Sequence, residues 1–187
     1  MKRLAIVALS ALMSVNAFAL FGETESNDTR ATADVVLYGN IAPWADVGVL
    51  SLTPNDSDFF KIRLNAGDWL TAITFPTATN YFSPDTVMAL FDASGTTAIV
   101  FNDDAGSGYG SAIRWQADRT GDYYIAITGF HGFSGQDNIS YYEGVTHGES
   151  GSYILTVSVV PVPEPASMLA LGVGLAGLVG LRRRNRK

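Results

Sequence analysis

The stretch Glu23-x-Glu25-x-Asn27-Asp28 sets four oxygen-bearing side chains within six residues. Calcium is held by about six to eight hard oxygen ligands, drawn largely from carboxylates and carbonyls. Side chains this dense enclose a cation if the segment folds around it; unpaired, the carboxylates repel one another. The competing reading is a solvated acidic strap in which Asn27 or Asp28 caps a turn, and the sequence leaves the two open. A second oxygen-rich group, Asn102-Asp103-Asp104, precedes the glycine-rich segment 105–111. It suits either a cation loop or a turn between strands, because Asn, Asp and Gly tolerate left-handed backbone. Its spacing is not that of the EF-hand loop.

Other chemistries find less support. There is no cysteine, so disulfides, thiol nucleophiles and zinc–thiolate sites are excluded. The chain has neither a G-x-S-x-G elbow nor an H-E-x-x-H pair, the usual marks of serine and zinc hydrolases. His131 and His147 lie in glycine-bounded segments and read as surface loop residues. Two carboxylates can cleave a glycoside whatever their sequence spacing, but no pair stands out. The aromatic, polar segment 129–144 (GFHGFSGQDNISYYEG) is the best candidate for a recognition loop.

These residues must be positioned by strands. DFFKIRL alternates Phe60, Ile62 and Leu64 against Lys61 and Arg63; DYYIAIT puts Tyr123, Ile125 and Ile127 on one face. SYILTVSV does the same with Tyr153, Leu155, Val157 and Val159, and VVLYGNI, DWLTAITF, VMALFDA, TAIVFN and SAIRWQ are further short runs. Period-two patterning broken by Gly, Asn, Asp and Pro indicates antiparallel strands. Eight or nine of them over residues 20–160 predict an all-β fold, a jelly-roll-like antiparallel β-sandwich. Trp69, Trp115 and Phe75 are expected in its core. Between residues 20 and 160, five basic residues face 17 acidic ones, a formal charge of −12. Nucleic acid and anionic surfaces are poor partners for such a body, whereas divalent cations are good ones.

Both ends are set apart from this body. Residues 1–19 combine Lys2 and Arg3, an apolar stretch and Ala17-Phe18-Ala19, the pattern of a signal peptide for Sec export. At the other end, 161–187, come Pro163, Glu164 and Pro165, then 16 uncharged residues at 166–181, then Arg182, Arg183 and Arg184 within a basic tail, 182–187. As a transmembrane helix the run spans about 24 Å, short of a bilayer core of about 30 Å but within reach of a thinned one. The basic cluster would hold its end in the cytoplasm, leaving the body outside the inner membrane. Gly172, Gly174 and Gly177 spell a dinucleotide fingerprint, but without the preceding strand it requires; glycines here suit helix packing. This tail resembles the PEP-CTERM sorting signal of Gram-negative bacteria. The resemblance implies recognition by an exosortase-type membrane protease, removal of the anchor near Pro-Glu-Pro, and a mature form at the cell surface or outside the cell.

The order of pieces along the body carries a second resemblance. ETESNDTRATA is followed by NDSDFFKIRLNAGDWLTAI, then PDTVMALFDASGTTAIVFNDDAGSG, GDYYIAITGF and GSYILTVSV. The series resembles the bacterial pre-peptidase C-terminal domain family. That resemblance implies a jelly-roll module without catalytic residues that accompanies secreted enzymes or acts at surfaces. In calcium-binding members the opening acidic motif and the aspartates before the D-F-F strand supply ligands. Carried over, these are Glu23, Glu25, Asn27, Asp28, Asp56 and Asp58, with Ca2+ as the ion. The expectation is therefore an exported, non-enzymatic, calcium-stabilised binding or structural module, with extracellular polysaccharide or protein as further partners. The alternatives are a secreted hydrolase with an unrecognised carboxylate site and a periplasmic protein that keeps its tail anchor.

Overall fold

The computed structural model describes residues 20–36, 43–78, 84–162 and 172–174. The expected signal peptide 1–19, the motif Pro163–Pro165 and the basic tail 182–187 lie outside the described residues. So does the run 166–181, except for 172–174, which are helical. Among the described residues no helix is long and apolar enough to cross a membrane.

Among the described residues ten strands form two five-stranded sheets. The first contains β1 (Leu20–Phe21), β3 (Trp44–Leu52), β10 (Gly151–Val160), β5 (Trp69–Pro76) and β8 (Ala112–Gln116), in that spatial order. The second runs β2 (Asp34–Val35), β4 (Ser57–Leu64), β9 (Gly121–Gly129), β6 (Thr86–Asp92), β7 (Val100–Asp103). All pairings are antiparallel except the short edge contacts β1–β3 and β2–β4. Leu50, Leu52, Leu70, Ala72, Leu155 and Val157 of the first sheet join Phe60, Ile62, Leu64, Met88, Leu90 and Ile125 of the second in one buried cluster. The two sheets therefore pack face to face, and the alternating residues read from the sequence fill the space between them.

Successive long strands change sheets at alternating ends, which defines two rims. The upper rim carries the turn 53–56, the segment 104–111 and the segment 130–150. The lower rim carries the turns 65–68 and 117–120 and the point where β10 ends.

The second sheet is covered on both faces. Phe59, Val87, Ala89, Phe91 and Ala126 point away from the main core, and Ile139, Tyr141 and Tyr142 are laid over them. A 3-10 turn, Ile139–Tyr141, capped by the Asn138 side chain, presents these residues. Phe91 and Tyr142 meet edge to face at 5.5 Å, and the Tyr142 hydroxyl donates to Gln136 O at 3.0 Å. Much of the segment expected to recognise a ligand is thus the lid of a second small core, while Phe133 remains 85% exposed. This explains why VMALF is a continuous apolar run: a strand buried on both faces has no polar side.

Two readings are corrected and one strand is added. Trp69 and Phe75 lie on the outward face of β5, whose inward residues are Leu70, Ala72 and Thr74. The Arg114 guanidinium stacks over the Trp69 ring at 4.5 Å. Trp115 does pack on the core, against Tyr123 at 4.9 Å. β3 escaped the sequence reading because its inward positions include Asp46 and Gly48, so the period-two signal is inverted. Gly48 is required there, since the Phe21 ring lies 2.7 Å from where a Cβ would stand.

The lid predicts a contrast. Tyr142→Ala should lower stability by about 3–5 kcal/mol, the usual cost of emptying a buried aromatic site. Phe133→Ala should change it by about 0.5 kcal/mol or less. Denaturant midpoints of the two variants measure this; equal midpoints would make 130–150 a loop without a structural role.

Candidate metal centre

The N-terminal segment rises along β3 as β1, crosses the upper rim, and descends along β4 as β2. Beneath the crossing lies the turn 53–56 that joins β3 to β4. This topology brings together residues about 30 positions apart in sequence. Acceptor atoms of Glu23, Glu25 and Asp58 lie within 4.8 Å of one another, as do those of Glu25, Asp28 and Asp56. Glu25 belongs to both groups.

Glu23, Asn27 and Asp58 are each oriented through one side-chain atom and keep another, buried one without a partner. Glu23 Oε1 accepts from Ser51 N at 2.8 Å and Ser51 Oγ at 3.0 Å, while Oε2 has no partner. Asp58, fully buried, accepts from the Tyr153 hydroxyl on Oδ2 at 2.5 Å, and its Oδ1 has no partner. Asn27, also fully buried, donates through Nδ2 to Asp34 Oδ2 at 3.3 Å, and its Oδ1 has no partner. The Asn27 carbonyl is fixed by Phe59 N at 3.0 Å. Asp56 Oδ2 accepts from Thr53 N at 2.9 Å and Thr53 Oγ1 at 3.2 Å. Among the described residues no ion pair with Lys or Arg involves these carboxylates.

The electrostatics follow. Burial first, then repulsion from neighbouring carboxylates, pushes Glu25 above its ordinary range. Burial does the same to Glu23 against the opposing pull of the Ser51 bonds, and to Asp28, which also faces Asp56. Asp58 is raised furthest, by burial, although the Tyr153 hydrogen bond opposes the shift. A buried polar atom without a partner is costly, and three such oxygens among five carboxylates fit a cation. The donor set is oxygen throughout, which suits calcium and not the nitrogen and sulfur preferences of zinc or copper. The structure brings Glu23, Glu25, Asp28, Asp56 and Asp58 into two groups that share Glu25, and buries Asn27 in the same segment.

His147 supports the site from below. It is buried, not a surface residue, and its Nε2 lies 2.7 Å from Asp56 O. Its main chain pairs with Asn55, N to Oδ1 and O to N, both at 3.1 Å. His131 is exposed and stacks on Tyr141 at 3.7 Å.

A second cluster sits along the same rim. Acceptor atoms of Asp85, Asp103 and Asp104 lie within 4.8 Å of one another. Asp103 Oδ2 accepts from Gln136 Nε2 at 2.9 Å, whereas Asp85 Oδ1 and Asp103 Oδ1 are buried without partners. Asn102 serves the turn instead: its Oδ1 accepts from Ala105 N and Ala112 N, both at 2.9 Å. Asp85 was not foreseen. The signal for it was its place just before a strand on the same rim, the place Asp56 holds before β4. Burial, then Asp103, Asp104 and Glu149, raise Asp85 to about 7.

Comparison with known proteins bears on the two ends of the argument. Residues 161–184 match the PEP-CTERM protein-sorting motif. The chain thus carries a sorting signal that implies export and handling at a membrane by an exosortase. Over 104 residues, 56% of the chain, it is 32% identical to a probable subtilase-type serine protease of Deinococcus radiodurans, and the match spans 14% of that protein. Among solved structures, PliG of Aeromonas hydrophila, a periplasmic inhibitor of g-type lysozyme, aligns with TM-score 0.47 and 15% identity over 76% of this chain and 99% of that one. The pre-peptidase C-terminal domain of a Bacillus anthracis collagenase aligns with TM-score 0.44 and 13% identity, over 67% and 93%.

The second cluster gives a pH prediction. A carboxyl raised from 3.8 to about 7 on folding favours the folded state while protonated, and that contribution is lost as pH rises through about 7. In chelator, Asp85→Asn should therefore melt roughly 2–4 °C above the unsubstituted chain at pH 8, the shift expected for about 1 kcal/mol. The difference should vanish near pH 4. A gap that is constant with pH would place Asp85 outside the cluster's electrostatics.

Proposed function

We propose that this chain is an exported, non-catalytic, jelly-roll-like β-sandwich of the pre-peptidase C-terminal kind. In this reading it is stabilised by calcium, sorted through its tail, and acts as a binding or structural module at the cell surface or outside the cell. The strand order supports the jelly-roll reading: with β1 and β2 set aside, the sheets run β3-β10-β5-β8 and β4-β9-β6-β7, two interleaved Greek keys. The observation that carries the calcium reading is the convergence of Glu23, Glu25 and Asp58, in a segment where Glu23 Oε2, Asn27 Oδ1 and Asp58 Oδ1 are all buried and unpartnered. Calcium would supply the positive charge these groups lack. It would fasten the N-terminal crossing over the turn 53–56, with Glu25 touching both halves of the site.

A second reading, a hydrolase, draws on Asp85, raised to about 7 beside Asp103. Two carboxyl groups of unlike affinity for protons are the usual acid–base arrangement. Loss of a hydrolytic activity in Asp85→Asn with melting retained would favour it. A third, a retained periplasmic anchor, differs only in the fate of the tail.

Calcium at a hundred times its dissociation constant adds about 2.7 kcal/mol. The full-length chain in detergent should then melt roughly 6–11 °C higher in calcium than in chelator. Glu25→Gln should abolish most of that increment. Absence of any increment in the unsubstituted chain would reduce the crossing to an acidic strap. For the tail, mass spectrometry of the mature protein should find a C-terminus near Pro163–Pro165. Recovery of Lys187 in the final product would establish the retained anchor instead.

A further inference from the structure

The lower rim is bound closely to the tail. β10 ends at Val160, and Val162 lies against the turn 65–68, its Cβ 3.7 Å from where a Cβ on Gly67 would stand. Four residues later the uncharged run 166–181 begins. An extended chain covers at most about 3.6 Å per residue, so Val162 stands within about 14 Å of that run. The headgroup layer on each side of a bilayer takes up about 5–8 Å of such a distance. With the run in a bilayer, the lower rim stands clear of the surface by about one headgroup thickness at most.

The chemistry of the two rims differs in the matching sense. Trp69 opens β5 beside the end of β10, paired with Val160 on the outward face, whereas Trp44, opposite Val159, packs against the core. Val160 and Val162 are 51% and 47% exposed, and Arg114 covers the Trp69 ring. Tryptophan and arginine, with an apolar body and a polar or charged end, settle at the headgroup level. Lys61, Arg63 and Arg119 also lie in the lower half and neutralise Asp122, Asp92 and Asp118. The unpaired carboxylates of both clusters are at the upper rim. An anionic surface thus repels one end of the body and tolerates the other.

We infer that the lower rim, through Trp69, Arg114, Val160 and Val162, is a membrane-contact surface, seated on the phospholipid headgroups while the tail is in place. The inference rests on the reading of 166–181 as the membrane segment. The chain has no cysteine, so Ala66→Cys on the lower turn and Ser107→Cys on the upper rim, both exposed, each take one spin label. The full-length chain is reconstituted in vesicles of phosphatidylethanolamine and phosphatidylglycerol containing a nickel-chelating lipid. The label at position 66 should be relaxed severalfold more strongly than that at 107. Adding Arg114→Glu and Val162→Asp, both at exposed positions, should bring the two towards parity. Equal relaxation at both positions in membrane-embedded chain, or a contrast that survives the double substitution, would overturn the contact. Release of the chain by alkaline carbonate would instead show that the membrane segment itself was misread, and the contact would fall with it.

Discussion

Asp58 is a carboxylate set where a sandwich ordinarily places an apolar side chain. It is the second residue of β4, on the inward edge of the upper rim, fully buried, and the hydrogen bond that holds it comes from Tyr153 of the opposite sheet. That bond joins β4 to β10, the central strand of the first sheet, across the mouth of the core. Burial keeps the Tyr153 phenol protonated and therefore a donor, and Asp58 reinforces this. One donor does not compensate a buried carboxylate, so the remaining oxygen governs what surrounds it. It calls for a proton or a cation, and Glu23, Glu25 and Asp28 gather above it with the same need. The N-terminal crossing, the turn 53–56 and His147 beneath it are arranged around this one charge.

How much of this was legible depends on whether the signal was local. Strands with apolar inward residues, such as Phe60-x-Ile62-x-Leu64 and Tyr153-x-Leu155-x-Val157, are plain in the sequence because side chains alternate between faces. β3 was not, because an aspartate and a glycine occupy inward positions for reasons of partner, not polarity: Gly48 admits the Phe21 ring. Trp69, expected in the core, lies outside, where it stacks with Arg114. In the site, Glu23 to Asp28 were visible as a run, whereas Asp56 and Asp58 entered only by resemblance. Asp85 and Asp103 stand 18 residues apart and meet only because β6 and β7 pair with Val87 opposite Asp103. No pattern in either segment announces that.

The two sheets are unequal, and the inequality is chemical. The second is sealed on both faces, its outer one by Ile139, Tyr141 and Tyr142. The first leaves Val49, Ile154 and Phe75 in register across β3, β10 and β5 on its outward face, with Val49 57% exposed. The segment 130–150 is thereby tied to the fold at several points: Ser57 Oγ donates to Tyr142 O at 2.6 Å, and Glu149 Oε2 accepts from Asp85 N at 3.0 Å. The same segment that closes the second core also fixes positions in both acidic clusters. The contacts that cover the second sheet and those that hold the upper rim are thus made by one segment.

β10 is the last strand made and the middle strand of its sheet. Until Val160 has left the ribosome and crossed the membrane, β3 and β5 have no common neighbour, Asp58 lacks its donor, and the first sheet is two separate pairs. Six residues later the uncharged run begins. The step that closes the fold therefore nearly coincides with the emergence of the sorting motif, 161–184. The body completes itself last, at its centre, just as its address label appears.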